Sequence, residues 1–294
     1  MWLRHHLQRL LRRGSRTLDR LRACRMSART KFDMYLAPPS RAAFAALADW
    51  MDAAIVEFAT REEPARNFSA GDILAGDFLA GDFLAGDFLA GDFLVGQVCG
   101  ITLATAPAGR FHYLATPVMD DDAVPEGHYN SLIITPREGG IDTVAAFDPA
   151  RHRAIINEPG SFSGDITLAT HLRHVTGHAL IAPPRSGGHL ASIGMIAAGK
   201  AQLAAIDRVS FALARAACPD DVAAVRVIDE TAFYPGLPFV ADGALPEHIV
   251  ALLRDRLLDF RTQSAWREIA NILQLRGLTI LDPADYDIMA TIGV

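Results

Sequence analysis

Long apolar runs are missing from this chain. None approaches the roughly 20 residues that a bilayer-spanning helix needs. The first 25 residues, MWLRHHLQRLLRRGSRTLDRLRACR, lack the unbroken apolar core of a secretory signal, because arginines interrupt every candidate stretch. The expected compartment is therefore the cytoplasm, with the periplasm as the alternative if the start lies elsewhere or export is non-standard. Cysteine is scarce as well. Cys24, Cys99 and Cys218 are far apart and odd in number, which excludes a disulfide framework and a CxxC metal site. Net positive charge is absent from the body of the protein. Residues 1–25 carry a net +7 while the whole chain is −6, which leaves −13 for residues 26–294. An acidic body argues against nucleic acid as a partner, and any anion site must be built locally from backbone amides and a few side chains.

The chain does have the material for a core. It is 294 residues long, 50% hydrophobic and 21% charged, enough for one large or two modest domains. Residues 1–29 form a basic extension. Leu3, Leu7, Leu10, Leu11, Leu18 and Leu21 share one helical stripe, so a helix lying on an anionic membrane is conceivable. A disordered tail, or sequence ahead of a start at Met26, is the simpler reading. From Lys31 onward strands and helices alternate. KFDMYLA (31–37), FHYLATPV (111–118), YNSLIITP (129–136), RAIINE (153–158), HALIAP (178–183), QLAAID (202–207), AVRVID (224–229) and LPFVAD (237–242) read as strands. Helices are expected over 41–60 with Ser40 as N-cap, from about Asp165, up to Ala198, over 209–217, over 246–260 and over 266–275. That alternation predicts an α/β protein with mostly parallel sheets, and ligands at the carboxyl ends of the strands.

One stretch, AGDFLAGDFLAGDFLAGDFL (75–94), repeats a pentapeptide, and a degenerate AGDIL precedes it. A period of five places Phe78, Phe83, Phe88 and Phe93 on no single face of a helix or strand. Five copies make little more than one coil of a solenoid, with nothing to stack on. The aspartates lack calcium-loop spacing. The expectation is a true strand within 92–98 and a surplus excursion over 70–90.

Three loops carry chemistry. Glu158-Pro-Gly-Ser-Phe-Ser-Gly164 leaves a strand and opens a helix, with two hydroxyls beside helix N–H groups. Ser186-Gly-Gly-His189 does the same and adds a histidine. Ala205-Ile-Asp207 puts an acid at a strand end, to grip a ligand or to cap the next helix. A simple N-cap and a structural histidine explain each loop singly; the three together point to an anion site.

The ordered segments GHYNSLIITP, AIINEPGSFSGDI, SGGHLASIGMIAAGKAQLAAIDRVSFAL and YPGLPFV resemble the phosphonate- and phosphite-binding components of ABC importers, the PhnD-like family. FDMYLAPPS and LVGQVCGITL extend the likeness to a branch without an export signal. The resemblance implies a two-lobed type II periplasmic-binding-protein clamshell. Lobe one would be 30–128 plus 225–294, and lobe two 129–224. It implies that Ser161, Ser163 and Gly164 hold anionic oxygens and that His189 adds a donor. Tyr35 and Tyr129 would wall the cleft, Asp207 would meet a polar or cationic group, and Gln97 and Cys99 would lie at the lobe-one edge. The implied protein is a monomer without cofactor or metal that binds a small phosphonate- or phosphate-like anion and serves an ABC permease or an intracellular sensor. Two other readings compete with it. A cytosolic enzyme on the same fold would draw on His189, Cys99, Glu158 and Asp207. A metal site would use His171, His174 and His178, although no acid or cysteine completes that set.

Overall fold

The computed structural model describes residues 50–51 and 95–292. The N-terminal extension, the 31–37 strand, Tyr35 and the repeats at 70–94 lie outside the described residues, as does the 41–60 helix apart from the helical pair Trp50 and Met51.

Two sheets organise the chain. The first holds β1 (Val95–Gln97), β2 (Phe111–Met119), β8 (Phe239–Asp242) and β9 (Leu275–Thr279), in the order β1-β8-β2-β9. The second holds β4 (Ser131–Pro136), β5 (Ala204–Asp207) and β6 (Val225–Glu230), in the order β5-β4-β6. A two-residue ladder of β3 (His128–Tyr129) with β7 (Tyr234–Pro235) lies on the two passages between them. The chain leaves the first sheet through β2 and β3 and returns through β7 and β8.

The α/β class is as expected, but strand direction is not. β8 runs antiparallel between β1 and β2, and β2 antiparallel to β9. In the second sheet β4 runs against both β5 and β6. The cause is topological. β4 and β8 are the strands that arrive from the other sheet, and each enters against its new neighbours. Their neighbours still share a direction: β5 and β6 both oppose β4, and the bridges Ala154–Leu203 and Ile156–Arg185 are parallel.

The second sheet is buried on both faces. Along β4, Leu132 and Ile134 join one apolar cluster with Ile193, Ile196 and Phe211, while Ile133 joins another with Leu168, Leu172 and Phe147. That is the two-residue period of a strand feeding two cores. Helices α2 (Thr167–Thr176), α3 (His189–Ala197), α4 (Arg208–Ala217) and α5 (Pro219–Ala223) cover it. On the first sheet, α1 (Gly100–Thr105), α6 (Glu247–Asp259), α7 (Ser264–Leu273) and α8 (Asp287–Thr291) bury Leu114, Leu253, Leu257 and Tyr286 with Met51.

Polar networks pin the passages between the sheets. The buried Tyr286 hydroxyl donates to the Gly236 carbonyl at 2.8 Å and lies 2.7 Å from Thr116 Oγ1, itself 2.8 Å from the Tyr113 hydroxyl. Arg208 ties both passages to the loop after β2. Its guanidinium donates to Asn130 Oδ1 at 2.8 Å and to Asp121 Oδ2 at 2.9 Å, and pairs with Glu230.

The expected strand 178–183 does not form. Ala182 adopts a left-handed φ of 44°, Pro183 and Pro184 cannot donate to a ladder, and only Arg185 makes a bridge. The three histidines of the competing metal reading are not brought together as a set. His171 is hydrogen-bonded to Asp229 at 2.9 Å, while His174 and His178 are exposed, and no metal-ligating cluster exists among the described residues.

Candidate functional site

The loop after Ile156 builds the site. Gly160, at φ 76°, turns the chain so that Ser161 N–H donates to the Glu158 carbonyl at 3.1 Å. Asp165 Oδ2 accepts from Gly160 N–H at 2.8 Å and fixes the turn. The Ser161 carbonyl then accepts from both Asp165 N–H and Ile166 N–H, each at 3.0 Å, so the helix opens with a wide π-turn over Phe162–Ile166 before α2. The N–H groups of Phe162, Ser163 and Gly164 precede the first intrahelical donor and carry the positive end of α2, and Phe162 and Ser163 line the cleft. Ser131 Oγ and Thr167 Oγ1 hold the Ser163 carbonyl at 2.8 and 3.0 Å, on the side away from those N–H groups.

His189 comes from the second loop. Gly187, at φ 90°, and Gly188 swing the chain into α3. Ser186 Oγ, 2.6 Å from Ser192 Oγ and 3.0 Å from the Gly188 carbonyl, locks that turn. The imidazole Nε2 lies 2.9 Å from Ser163 Oγ and 3.5 Å from Asn157 Nδ2, which in turn donates to Ser161 Oγ at 2.9 Å. Burial pulls His189 down to about 4, with weak opposition from the Ala205 backbone. The ring is therefore neutral at physiological pH. Its Nδ1 is buried without a partner in hydrogen-bonding geometry, as is Asn157 Oδ1.

Asp207 ends β5 and is 3% exposed. Its Oδ1 accepts from Ser210 N–H at 2.8 Å, so it caps α4 and faces the cleft at once. Burial raises its pKa to about 6, against the pull of the Ser210 hydrogen bonds. Cys99 arrives from the first sheet as the N-cap residue of α1. Burial pushes its thiol up, partly offset by the backbone N–H groups of Ile101 and Phe162. The contact with Phe162 joins an element on the first sheet to the turn on the second.

These groups line one cleft of about 1180 Å³, open solvent at its mouth included. Cys99, Ile101 and Thr102 form one wall, and Asn157 to Ser163 with His189, Asp207 and Ser210 form the other. Tyr129 and Leu237 close it where the chain crosses between sheets. Arg185 is the single Arg or Lys among the described lining residues, and it stands 3.9 Å from Glu158 at the exposed mouth. Among the described residues, attraction for an anion inside would come from hydroxyls, amides and the helix N-terminus rather than from a fixed cation.

Six of the expected site residues meet here: Cys99, Tyr129, Ser161, Ser163, His189 and Asp207. Two do not line the cleft. Gln97 donates to the Leu237 carbonyl at 3.0 Å and lines a separate, mainly apolar cavity behind Tyr129 and Leu237. Gly164 lies against the Asn157 amide, which a Cβ at that position would strike. Asn157 was missed; it lies inside the run RAIINE (153–158) that reads as a strand and gave no signal of its own. The enzyme alternative finds its four candidate groups together, but not in a working order. The Cys99 thiol is held protonated, and no carboxylate orients His189.

Residues 90–286 match the family model for the phosphonate periplasmic substrate-binding protein of ABC transporters. The chain belongs to that family. Its members are periplasmic substrate-binding components, the compartment named above as the alternative. No curated protein sequence matches this chain. Among solved structures it is similar to the PhnD1 protein of Prochlorococcus marinus in complex with methylphosphonate, at 16% identity and a TM-score of 0.57, over 69% of this chain and 78% of that one. A binding-protein component of an ABC phosphonate transporter from Pseudomonas aeruginosa gives 17% identity and 0.55, over 66% and 65%. A Xanthomonas citri protein bound to chloride ion gives 16% and 0.54, over 68% and 77%. These likenesses establish the type II periplasmic-binding-protein fold. No described helix is long and apolar enough to cross a membrane.

Proposed function

We propose that this protein is a non-catalytic receptor for a small tetrahedral oxyanion of the phosphonate or phosphate type, held in the cleft between the two sheets. The observation that carries the reading is the convergence of Ser161, Ser163, His189 and the N-terminal N–H groups of the π-turn on one cavity. The anion oxygens accept from Ser161, Ser163 and those N–H groups, Tyr129 walls the site, and Asp207 faces the remainder of the ligand. Residues 30–128 with 225–294 act as one lobe and 129–224 as the other. The passages held by Arg208 and Tyr286 serve as the hinge on which the lobes close. Tyr35 contributes from lobe one. The protein works as a monomer and delivers its ligand to an ABC permease, the role implied by its family.

A thermal-shift screen over phosphate, phosphite and methylphosphonate tests this. At a hundred times the dissociation constant, a ligand bound only by the folded state adds about 2.7 kcal/mol. The expected result is a dose-dependent rise with at least one oxyanion and none with an uncharged analogue. No rise with any of the three anions overturns the reading.

A further inference from the structure

We infer that Asn157 is the positioning residue that fixes Ser161 as a hydrogen-bond donor to the bound anion; this rests on the oxyanion reading above. Three observations converge on it. Its amide Nδ2 donates to Ser161 Oγ at 2.9 Å. A serine oxygen that already accepts from an amide turns its own proton elsewhere, and the open direction is the cleft. The same Nδ2 lies 3.5 Å from His189 Nε2, and Ser163 Oγ is 2.9 Å from that nitrogen, so the amide packs beside the imidazole that meets the second serine. The third observation is Gly164. A Cβ there would collide with the Asn157 amide, so the missing side chain leaves room for the amide. Asn157 Oδ1 is buried with no partner in hydrogen-bonding geometry, so the polar contacts of the amide are those of Nδ2.

An aspartate at 157 is nearly isosteric but accepts only. Ser161 would then donate to it, away from the cleft, and a carboxylate would stand at the anion's position of approach. Calorimetric titration with methylphosphonate and inorganic phosphate separates the possibilities, using wild type, Asn157→Ala, Asn157→Asp, Ser161→Ala and the Asn157→Ala/Ser161→Ala double variant. Asn157→Ala should weaken binding about tenfold, the scale of one hydrogen bond made or lost. In the Ser161→Ala background the same change should cost less than about twofold, because its effect passes through Ser161. Asn157→Asp should bind at least about a hundredfold more weakly at pH 8 and recover toward pH 5 relative to wild type. The wild-type profile supplies the reference for the other titratable groups of the cleft, Cys99, Glu158, Arg185, His189 and Asp207. The melting temperature of each ligand-free variant reports folding, and the alanine cycle stands if the aspartate variant does not fold. Equal losses from Asn157→Ala with and without Ser161, or wild-type affinity in Asn157→Asp at pH 8, overturn the inference and leave the oxyanion reading intact. Wild type that binds neither anion overturns both.

Discussion

Replacing Asp207 with Asn should stabilise the ligand-free protein at neutral pH, and the size of the effect follows from the site. Burial at 3% exposure raises this carboxyl from 3.8 to about 6 in the folded state. Each tenfold change in proton affinity is about 1.4 kcal/mol, so the ionised form costs the folded protein about 3 kcal/mol. The sign follows from linkage. Below pH 4 the carboxyl is protonated in both states and costs nothing. Stability falls as pH rises through the window from about 4 to 6, and above that the full cost is present. Asparagine keeps an oxygen for Ser210 N–H and is an equally good N-cap, but gives up the charge at the α4 N-terminus, worth about 0.5–1 kcal/mol. The net gain at pH 7.5 is about 2 kcal/mol, or roughly 4–8 °C for a protein of this size. At pH 3, below both pKa values, it should vanish. His189 titrates over an overlapping range in the opposite sense, since its depressed pKa of about 4 removes stability as pH falls. The difference between variant and wild type, measured by urea denaturation at several pH values, cancels that contribution. A difference that does not change with pH, or a variant less stable at pH 7.5, would refute the reasoning. The cost of an ionised Asp207, which also caps α4, is in keeping with the place proposed for this group in the cleft.

Other perturbations give different signatures. Gly164→Ala drives a methyl group into the Asn157 amide and should cost about 1–3 kcal/mol of stability together with oxyanion binding; an unchanged urea midpoint would contradict the packing described. Arg208→Met removes the charged bonds to Asn130, Asp121 and Glu230 and should lower stability by about 2 kcal/mol in chemical denaturation. Tyr286→Phe deletes the hydroxyl that joins Thr116 to the Gly236 carbonyl, for a loss of about 1–2 kcal/mol; no loss would remove this network from the account of the hinge. Because His189 is neutral throughout, affinity for methylphosphonate should show no inflection from this ring between pH 6 and 8, as titration calorimetry would reveal.

The parts of the fold that could be read from the sequence were those whose burial follows their periodicity. β4 and β5 are continuous apolar runs because both faces are covered, and α4 and α6 follow Asp207 and Pro246 as their N-cap residues. β9 escaped notice because LRGLT has one buried residue, Leu278, and pairs only with the far half of β2. α1 escaped because six residues, GITLAT, are too few to show a helical stripe. HALIAP looks like a strand by composition, yet the left-handed Ala182 and the two prolines deny it a ladder. In the cleft, Ser161, Ser163, His189 and Asp207 were legible because three strand-end loops of similar character fall in one stretch and converge on one cavity. The direction of the central strands was not legible, since it depends on which strands return from the other sheet. Nor was Gln97, whose amide turns to the Leu237 carbonyl instead of the cleft.

The central claim, that the cleft holds an oxyanion through the α2 N-terminus and its serines, is tested most directly by a crystal structure grown with methylphosphonate. The account predicts the phosphonate oxygens within hydrogen-bonding distance, about 2.7–3.2 Å, of Ser161 Oγ and the N–H group of Ser163. A phosphonate bound elsewhere, or an empty cleft at saturating concentration, would contradict it.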